Sequence, residues 1–216
     1  MSDIVIFGAT GYAGGHIASE LVARGHAVTG VARHQPEHAP EGISFVTGSV
    51  HDADFVREVV SGADVVVVSL PAQPAEEGAP ALVDSMPAVI DAVAAAGARL
   101  AVVGGAGSLQ AYEGGPQVMD LDQFPEAFRP EARQHAAVLD ALRASTDSLD
   151  WFSLSPAGGF GAWAPGERTG QFRLGGDVLV ADGEGQSNIS GADYAIAFVD
   201  EIERPEHSRQ RFSVAY

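Results

Sequence analysis

The 216-residue sequence predicts an α/β fold: a Rossmann-type doubly wound parallel sheet, strand order 3-2-1-4-5-6, with helices on both faces. Three observations predict it. Apolar runs alternate with helical patterns along most of the chain. The runs are rich in Val, Ile, Leu and Phe, as strands buried on both faces must be. The first run, Ile4-Val5-Ile6-Phe7, leads directly into glycines at 8, 11 and 14 and then into a helix pattern.

The strand-like runs lie near 3–8, 27–32, 43–47, 64–70, 99–104 and 150–155. Helical patterns lie between them near 14–24, 52–60, 79–97 and 130–145, with Pro80 and Pro87 blurring the start of the third. Beyond 156 the character changes. Residues 157–170 are rich in Gly, Pro and aromatics and read as a loop, and 171–181 as a short hairpin around Gly175-Gly176. Ser190 followed by Asp193 has the spacing of a capping box for a helix ending before Pro205. Arg211–Val214 reads as a last edge strand. With no repeat and no long linker, residues 1–216 form a single expected domain, in which 157–216 make a substrate-side lobe and terminal helix.

Composition narrows the function. The hydrophobic content of 46% is enough for a proper core. There is no cysteine, which removes disulfides, thiolate nucleophiles and Cys-ligated zinc. No apolar run is long enough for a membrane helix, and no secretory signal precedes the first strand, so a cytoplasmic location is expected. The net charge of −17 argues against nucleic acid or an anionic membrane as partner. A small-molecule acceptor is the expected partner, and a homo-oligomer is possible. The sequence also lacks lysine, so no Schiff base can form and no lysine can lower a tyrosine pKa.

The glycine turn carries the chemistry. Glycines let the chain reverse between strand and helix, and they remove the Cβ atoms that would keep a phosphate off the backbone. The helix beyond offers unpaired N–H groups and the positive end of its dipole. Gly8, Thr10, Gly11, Tyr12, Ala13 and Gly14 are therefore the candidate diphosphate site. The spacing is G-x-x-G-x-x-G, a variant of the usual fingerprint. The second strand ends at Ala32-Arg33-His34 with no acid before Glu37. An acid there would read both ribose hydroxyls of NAD. Arg33 suits a 2′-phosphate, so NADP(H) is preferred over NAD(H). Leu70, Pro71, Gly104 and Ala157, at the ends of later strands, would line the rest of the cleft. His34, His38, His51 and the pair Glu76-Glu77 show no metal-binding spacing, and no metal is expected.

The segments Gly8-Ala9-Thr10-Gly11-Tyr12-Ala13-Gly14, Val103-Gly104-Gly105-Ala106-Gly107-Ser108-Leu109 and Leu154-Ser155-Pro156-Ala157 resemble the atypical short-chain dehydrogenase/reductases. More narrowly, the chain is similar to the NAD(P)H-binding proteins grouped with biliverdin reductase B (flavin reductase) and NmrA-like proteins. Pro165 to Asp177 resembles bacterial members of that group. The resemblance implies NADP(H) binding and reduction of a flavin, a quinone or a similar flat acceptor, or else a non-catalytic NADP-binding sensor of the NmrA-like kind. It places Ser108 on the substrate side as a catalytic candidate whose hydroxyl would hold an acceptor oxygen; a loop serine capping a turn is the alternative. The Tyr-x-x-x-Lys pair of ordinary short-chain dehydrogenases is absent, because there is no lysine.

His135 shares a helix face with Ala132, Leu139 and Leu142. It is a candidate proton donor or, alternatively, a hydrogen-bonded, partly buried histidine. Tyr112, four residues beyond Ser108, is a further substrate-side candidate or, alternatively, an exposed loop tyrosine. Phe160 and Trp163, in the loop after the sixth strand, are candidates to stack on a flat acceptor or, alternatively, to pack that long loop against the domain.

Overall fold

The computed structural model describes residues 1–37, 39–74, 76 and 78–216. Strands β1 (Asp3–Phe7), β2 (Ala27–Ala32), β3 (Ile43–Thr47), β4 (Val65–Val68), β5 (Arg99–Val103), β6 (Trp151–Ser155), β7 (Arg173–Gly175) and β8 (Gln210–Ala215) form one sheet. Its order is β3-β2-β1-β4-β5-β6-β8-β7. The first six strands have the order expected from sequence and are all parallel. Helices α1 (Tyr12–Ala23), α2 (Ala53–Val59), α3 (Leu82–Ala96), α4 (Arg129–Arg143) and α5 (Gly191–Glu203) cover it.

Alternation along the strands divides the core in two. Ile4, Ile6, Val65, Val67, Phe152, Leu154 and Phe212 pack toward α1 and α5. Val5, Phe7, Val66, Val68, Leu100, Val102 and Trp151 pack toward α2, α3 and α4. Every residue of β4 is buried, which is why its four valines show no polar alternation.

Helix boundaries follow local chemistry. Asp52 caps α2 by accepting the N–H groups of Asp54 and Phe55 at 3.0 and 3.1 Å. Helix α3 starts at Leu82, after Pro80. Asp84 accepts the Ala81 N–H at 2.8 Å, and Gly97 ends the helix in the left-handed region at φ +68°. Pro87 stands within the second turn of α3 without ending it.

The C-terminal part corrects two expectations. The 171–181 segment is not a self-paired hairpin. β7 pairs antiparallel with β8, while Val178 forms an isolated bridge to Gln110. Nor is β8 an edge strand: it lies parallel beside β6, between it and β7, which forms the sheet edge. Phe212, Ser213, Val214 and Ala215 are all buried, without alternation, which reflects this inner place. The capping box is half realised. Ser190 Oγ accepts the Asp193 N–H at 3.0 Å, but the Asp193 carboxylate turns to other partners.

Those partners hold down the loop after β6. The Asp193 carboxylate, fully buried, accepts Thr169 N–H, Thr169 Oγ1–H at 2.7 Å, Gly170 N–H at 2.8 Å and Tyr216 O–H at 2.8 Å. Burial pushes its pKa up, but these hydrogen bonds outweigh burial and leave it below the usual Asp value. Arg168 reaches back to Glu20 of α1 at 2.6 Å.

Candidate functional site

β1 delivers the chain into the glycine turn at the carboxyl edge of the sheet. Gly8 adopts φ +91°, a conformation that side chains other than glycine rarely take, and a Cβ there would collide with the Ser69 carbonyl. Gly14 faces Gly8 so closely that a Cβ would stand 2.9 Å from the Gly8 carbonyl carbon and closer to its oxygen. The third glycine thus brings helix and strand together. Gly11 is the N-cap of α1 and offers no side chain to the first turn. Among the described residues, the N–H groups of Thr10, Tyr12 and Ala13 have no hydrogen-bond acceptor. An uncapped helix N-terminus with bare backbone in front of it suits a diphosphate.

This turn opens into a cavity of about 430 Å³. Gly8, Thr10 and Gly11 form one end, and Arg33 stands at the wall formed by the end of β2. Ser49, Val50 and His51 follow β3, and Leu70, Pro71, Gln73 and Pro74 follow β4. Ala79, Pro80 and Leu82, around the start of α3, complete the wall. The size and largely apolar lining suit a nucleoside. His51 is held in place, its Nδ1 2.5 Å from Ser85 Oγ of α3. Arg33 is exposed and makes no ion pair among the described residues, so its guanidinium can meet an anion.

The remaining candidates are distributed as follows. The backbone N–H of Tyr12 is free at the start of α1, although Tyr12 does not line the cavity, and its hydroxyl is committed elsewhere. It accepts the Gly191 N–H at 3.0 Å and donates to the Pro165 carbonyl at 3.4 Å. Ala13 packs against the α1/α5 core. Leu70 and Pro71 line the cavity; Gly104 and Ala157 do not. Gly104 continues β5, where a Cβ would meet the hydroxyls of Ser153 and Ser155 at 2.9 and 3.2 Å; Ala157 is buried in the core.

Phe160 packs on Tyr194 and Tyr12, with ring centroids 4.6 and 5.4 Å away, so it joins the α1/α5 side. Trp163 is 70% exposed and lies against Gly161; Tyr112 is 62% exposed and lies over Gly115. His34 is exposed, His38 and Glu77 lie outside the described residues, and no metal-binding cluster occurs among the described residues.

Ser108 and His135 are both engaged. Ser108 is buried, and its Oγ accepts a hydrogen bond from Arg211 Nη1 at 2.9 Å. Arg211 comes from β8; its side chain is 5% exposed, and its Nε donates to Asp177 at 2.6 Å. His135 is 14% exposed and packs against Gly105, where a Cβ would stand 3.1–3.3 Å from its side chain. Its Nε2 lies 3.2 Å from Glu131 Oε1, one helical turn earlier. His135 faces inward; its Nε2 is tied to Glu131, while its Nδ1 is buried without a partner among the described residues.

Sequence reasoning missed Glu131 and Arg211. Glu131 accepts the N–H groups of Ala72 and Gln73 at 2.7 and 2.8 Å. Burial pushes its pKa up, but His135 and the two backbone donors together bring it down to about 2. The available signal was weak: a Glu four residues before a His in the first turn of a Pro-started helix. Nothing local showed that the loop after β4 would come to meet it.

Comparison with known proteins agrees with this geometry. The model of a family described as NAD(P)H-binding matches residues 8–205. The YwnB protein of Bacillus subtilis (strain 168), itself uncharacterised, is 38% identical over 213 residues, covering 98% of this chain and 97% of YwnB. The crystal structure of a proposed epimerase from Bacteroides thetaiotaomicron superposes with a TM-score of 0.87 at 35% identity, covering 100% of this chain and 97% of that one. SP1627, a proposed NADH-flavin reductase from Streptococcus pneumoniae TIGR4, gives a TM-score of 0.81 at 32% identity, covering 100% and 99%. With a glycine cradle on a parallel sheet and a match over nearly its whole length, the chain belongs to the NAD(P)H-binding family.

Proposed function

We propose that this protein is an NADPH-dependent reductase that passes hydride to a flavin, a quinone or a similar flat acceptor. The observation that carries the reading is one cavity that joins the glycine turn just before the uncapped start of α1 to Arg33. The diphosphate lies on the N–H groups of Thr10, Tyr12 and Ala13. The base and ribose occupy the space between Ser49–His51 and Leu70–Pro74. The Arg33 guanidinium meets the 2′-phosphate with paired N–H donors, which favours NADP over NAD.

When bound, the reduced nicotinamide supplies the hydride. The protein holds the nucleotide in place so that an acceptor can meet the nicotinamide. A flavin or quinone takes its protons from water, so the reaction tolerates the lack of a Tyr/Lys pair. That lack also counts against sugar-nucleotide epimerisation by the usual short-chain dehydrogenase route, despite the name given to the Bacteroides structure. The name of SP1627 supports the flavin branch.

A second reading, a non-catalytic NADP(H)-binding sensor, is favoured by the engagement of Ser108 with Arg211 and of His135 with Glu131. Turnover separates the two. NADPH oxidation with FMN, FAD or a quinone, well above the rate without protein, supports the reductase. Tight NADPH binding with no oxidation across that acceptor set supports the sensor.

A further inference from the structure

We propose that Glu131 is the positioning residue of the nucleotide cleft. By accepting the N–H groups of Ala72 and Gln73 together, it fixes the wall against which the nucleotide lies, and so governs nucleotide affinity without touching the ligand. The inference rests on the cofactor reading above and extends it to a residue outside the cavity.

The geometry is specific. Leu70, Pro71, Gln73 and Pro74 line the cavity, and they belong to the irregular segment between β4 and α3. Such a segment has no ladder to hold its backbone groups, so their partners must come from elsewhere. Leu82 N–H takes the Ala72 carbonyl at 3.0 Å, which ties the segment to the start of α3. The two successive N–H groups at 72 and 73 point the other way, into the first turn of α4, and each meets one oxygen of Glu131. Ala72 is fully buried at this junction.

His135 holds the same carboxylate from the helix side, through the oxygen that accepts from Ala72. His135 in turn packs on Gly105, just beyond the end of β5. One side chain therefore links the cofactor wall, helix α4 and the turn after β5. An ionised carboxylate is the only side chain of this length that accepts at both ends. Glutamine would turn an NH₂ group against one of the two N–H donors, leaving that donor unpaired.

The test uses the full-length protein and NADP⁺. Binding is measured by titration calorimetry for wild type, Glu131→Gln and Glu131→Ala, and amide exchange at Ala72 and Gln73 is followed by NMR. The expected result is that both variants bind NADP⁺ about 10-fold or more weakly, with Gln no better than Ala. Both should also lose exchange protection at residues 72 and 73 while amides of β1 and β4 stay protected. If the protein turns over, the KM for NADPH rises and kcat stays within about twofold, the signature of lost ground-state binding.

Should the variants fail to fold, wild type alone still decides. Slow exchange at both amides, slowed further by NADP⁺, supports the clasp; exchange at the rate of free loop amides overturns it. NADP⁺ binding left unchanged in Glu131→Gln overturns this inference alone. Absence of any nucleotide binding by wild type overturns the cofactor assignment as well.

Discussion

Gly14, in the first turn of α1, lies directly against the carbonyl of Gly8 at the end of β1, with no room between them for a methyl group. Gly14→Ala should therefore cost about 3 kcal/mol or more of stability, because the obstacle is backbone and cannot rotate away. Chemical denaturation reads the loss. At Gly15, where the nearest atom to an added Cβ is 3.5 Å away, alanine should be tolerated.

Arg33→Asp should reverse or abolish the preference for NADPH. The loss of a charged contact to the 2′-phosphate weakens NADPH binding about 10- to 100-fold, while NADH binding holds or improves. Parallel fluorescence titrations give the ratio. An unchanged ratio removes Arg33 from the site.

Asp193→Asn leaves the 165–170 loop with one acceptor oxygen where the carboxylate has two. Its donors are the N–H groups of Thr169 and Gly170 and the hydroxyls of Thr169 and Tyr216. The expected cost is about 2–4 kcal/mol, with faster proteolysis near Arg168. Calorimetry and limited proteolysis check it. Fast cleavage without loss of overall stability would mean that the loop opens independently.

The pH dependence of stability follows from the lowered carboxylates. Glu131 is held down to about 2, and Glu20, Asp193, Glu201 and Glu203 all lie below their ordinary values. Each binds protons less readily folded than unfolded. Their contribution is full above the unfolded pKa, roughly 4–4.5, and is lost as pH falls through the folded values. The thermal midpoint should therefore be little affected by these groups above about pH 5 and should fall steadily below pH 4.5. A midpoint that holds to pH 3 contradicts these pairings.

Ser108→Ala removes the acceptor of Arg211 Nη1 without touching the cavity. NADPH affinity should remain within about twofold. Turnover with a quinone should drop about 10-fold if the hydroxyl holds the acceptor, and stay constant if Ser108 only anchors β8 to the loop after β5. Stopped assays at saturating NADPH distinguish the two.

What the sequence made legible is what local pattern dictates. The buried valines of β4, the glycine spacing at 8, 11 and 14, and the Ser190 cap each act over a few residues, and all appear in the structure. What it hid depends on distant pairing. Arg211–Val214 carries the same apolar alternation whether it closes the sheet or lies inside it, and only the return of 173–175 decides. Glu131 meets Ala72 across 59 residues, and Arg211 meets Ser108 across 103. Phe160 followed the same rule: its aromatic face suits a ligand or a core, and Tyr194 lies within reach.

The most direct test of the account is a crystal structure of the protein soaked with NADP⁺. The account predicts the diphosphate within hydrogen-bond distance of the N–H groups of Thr10, Tyr12 and Ala13, with the 2′-phosphate on Arg33. Electron density for the nucleotide anywhere else, or none at saturating concentration, would contradict it.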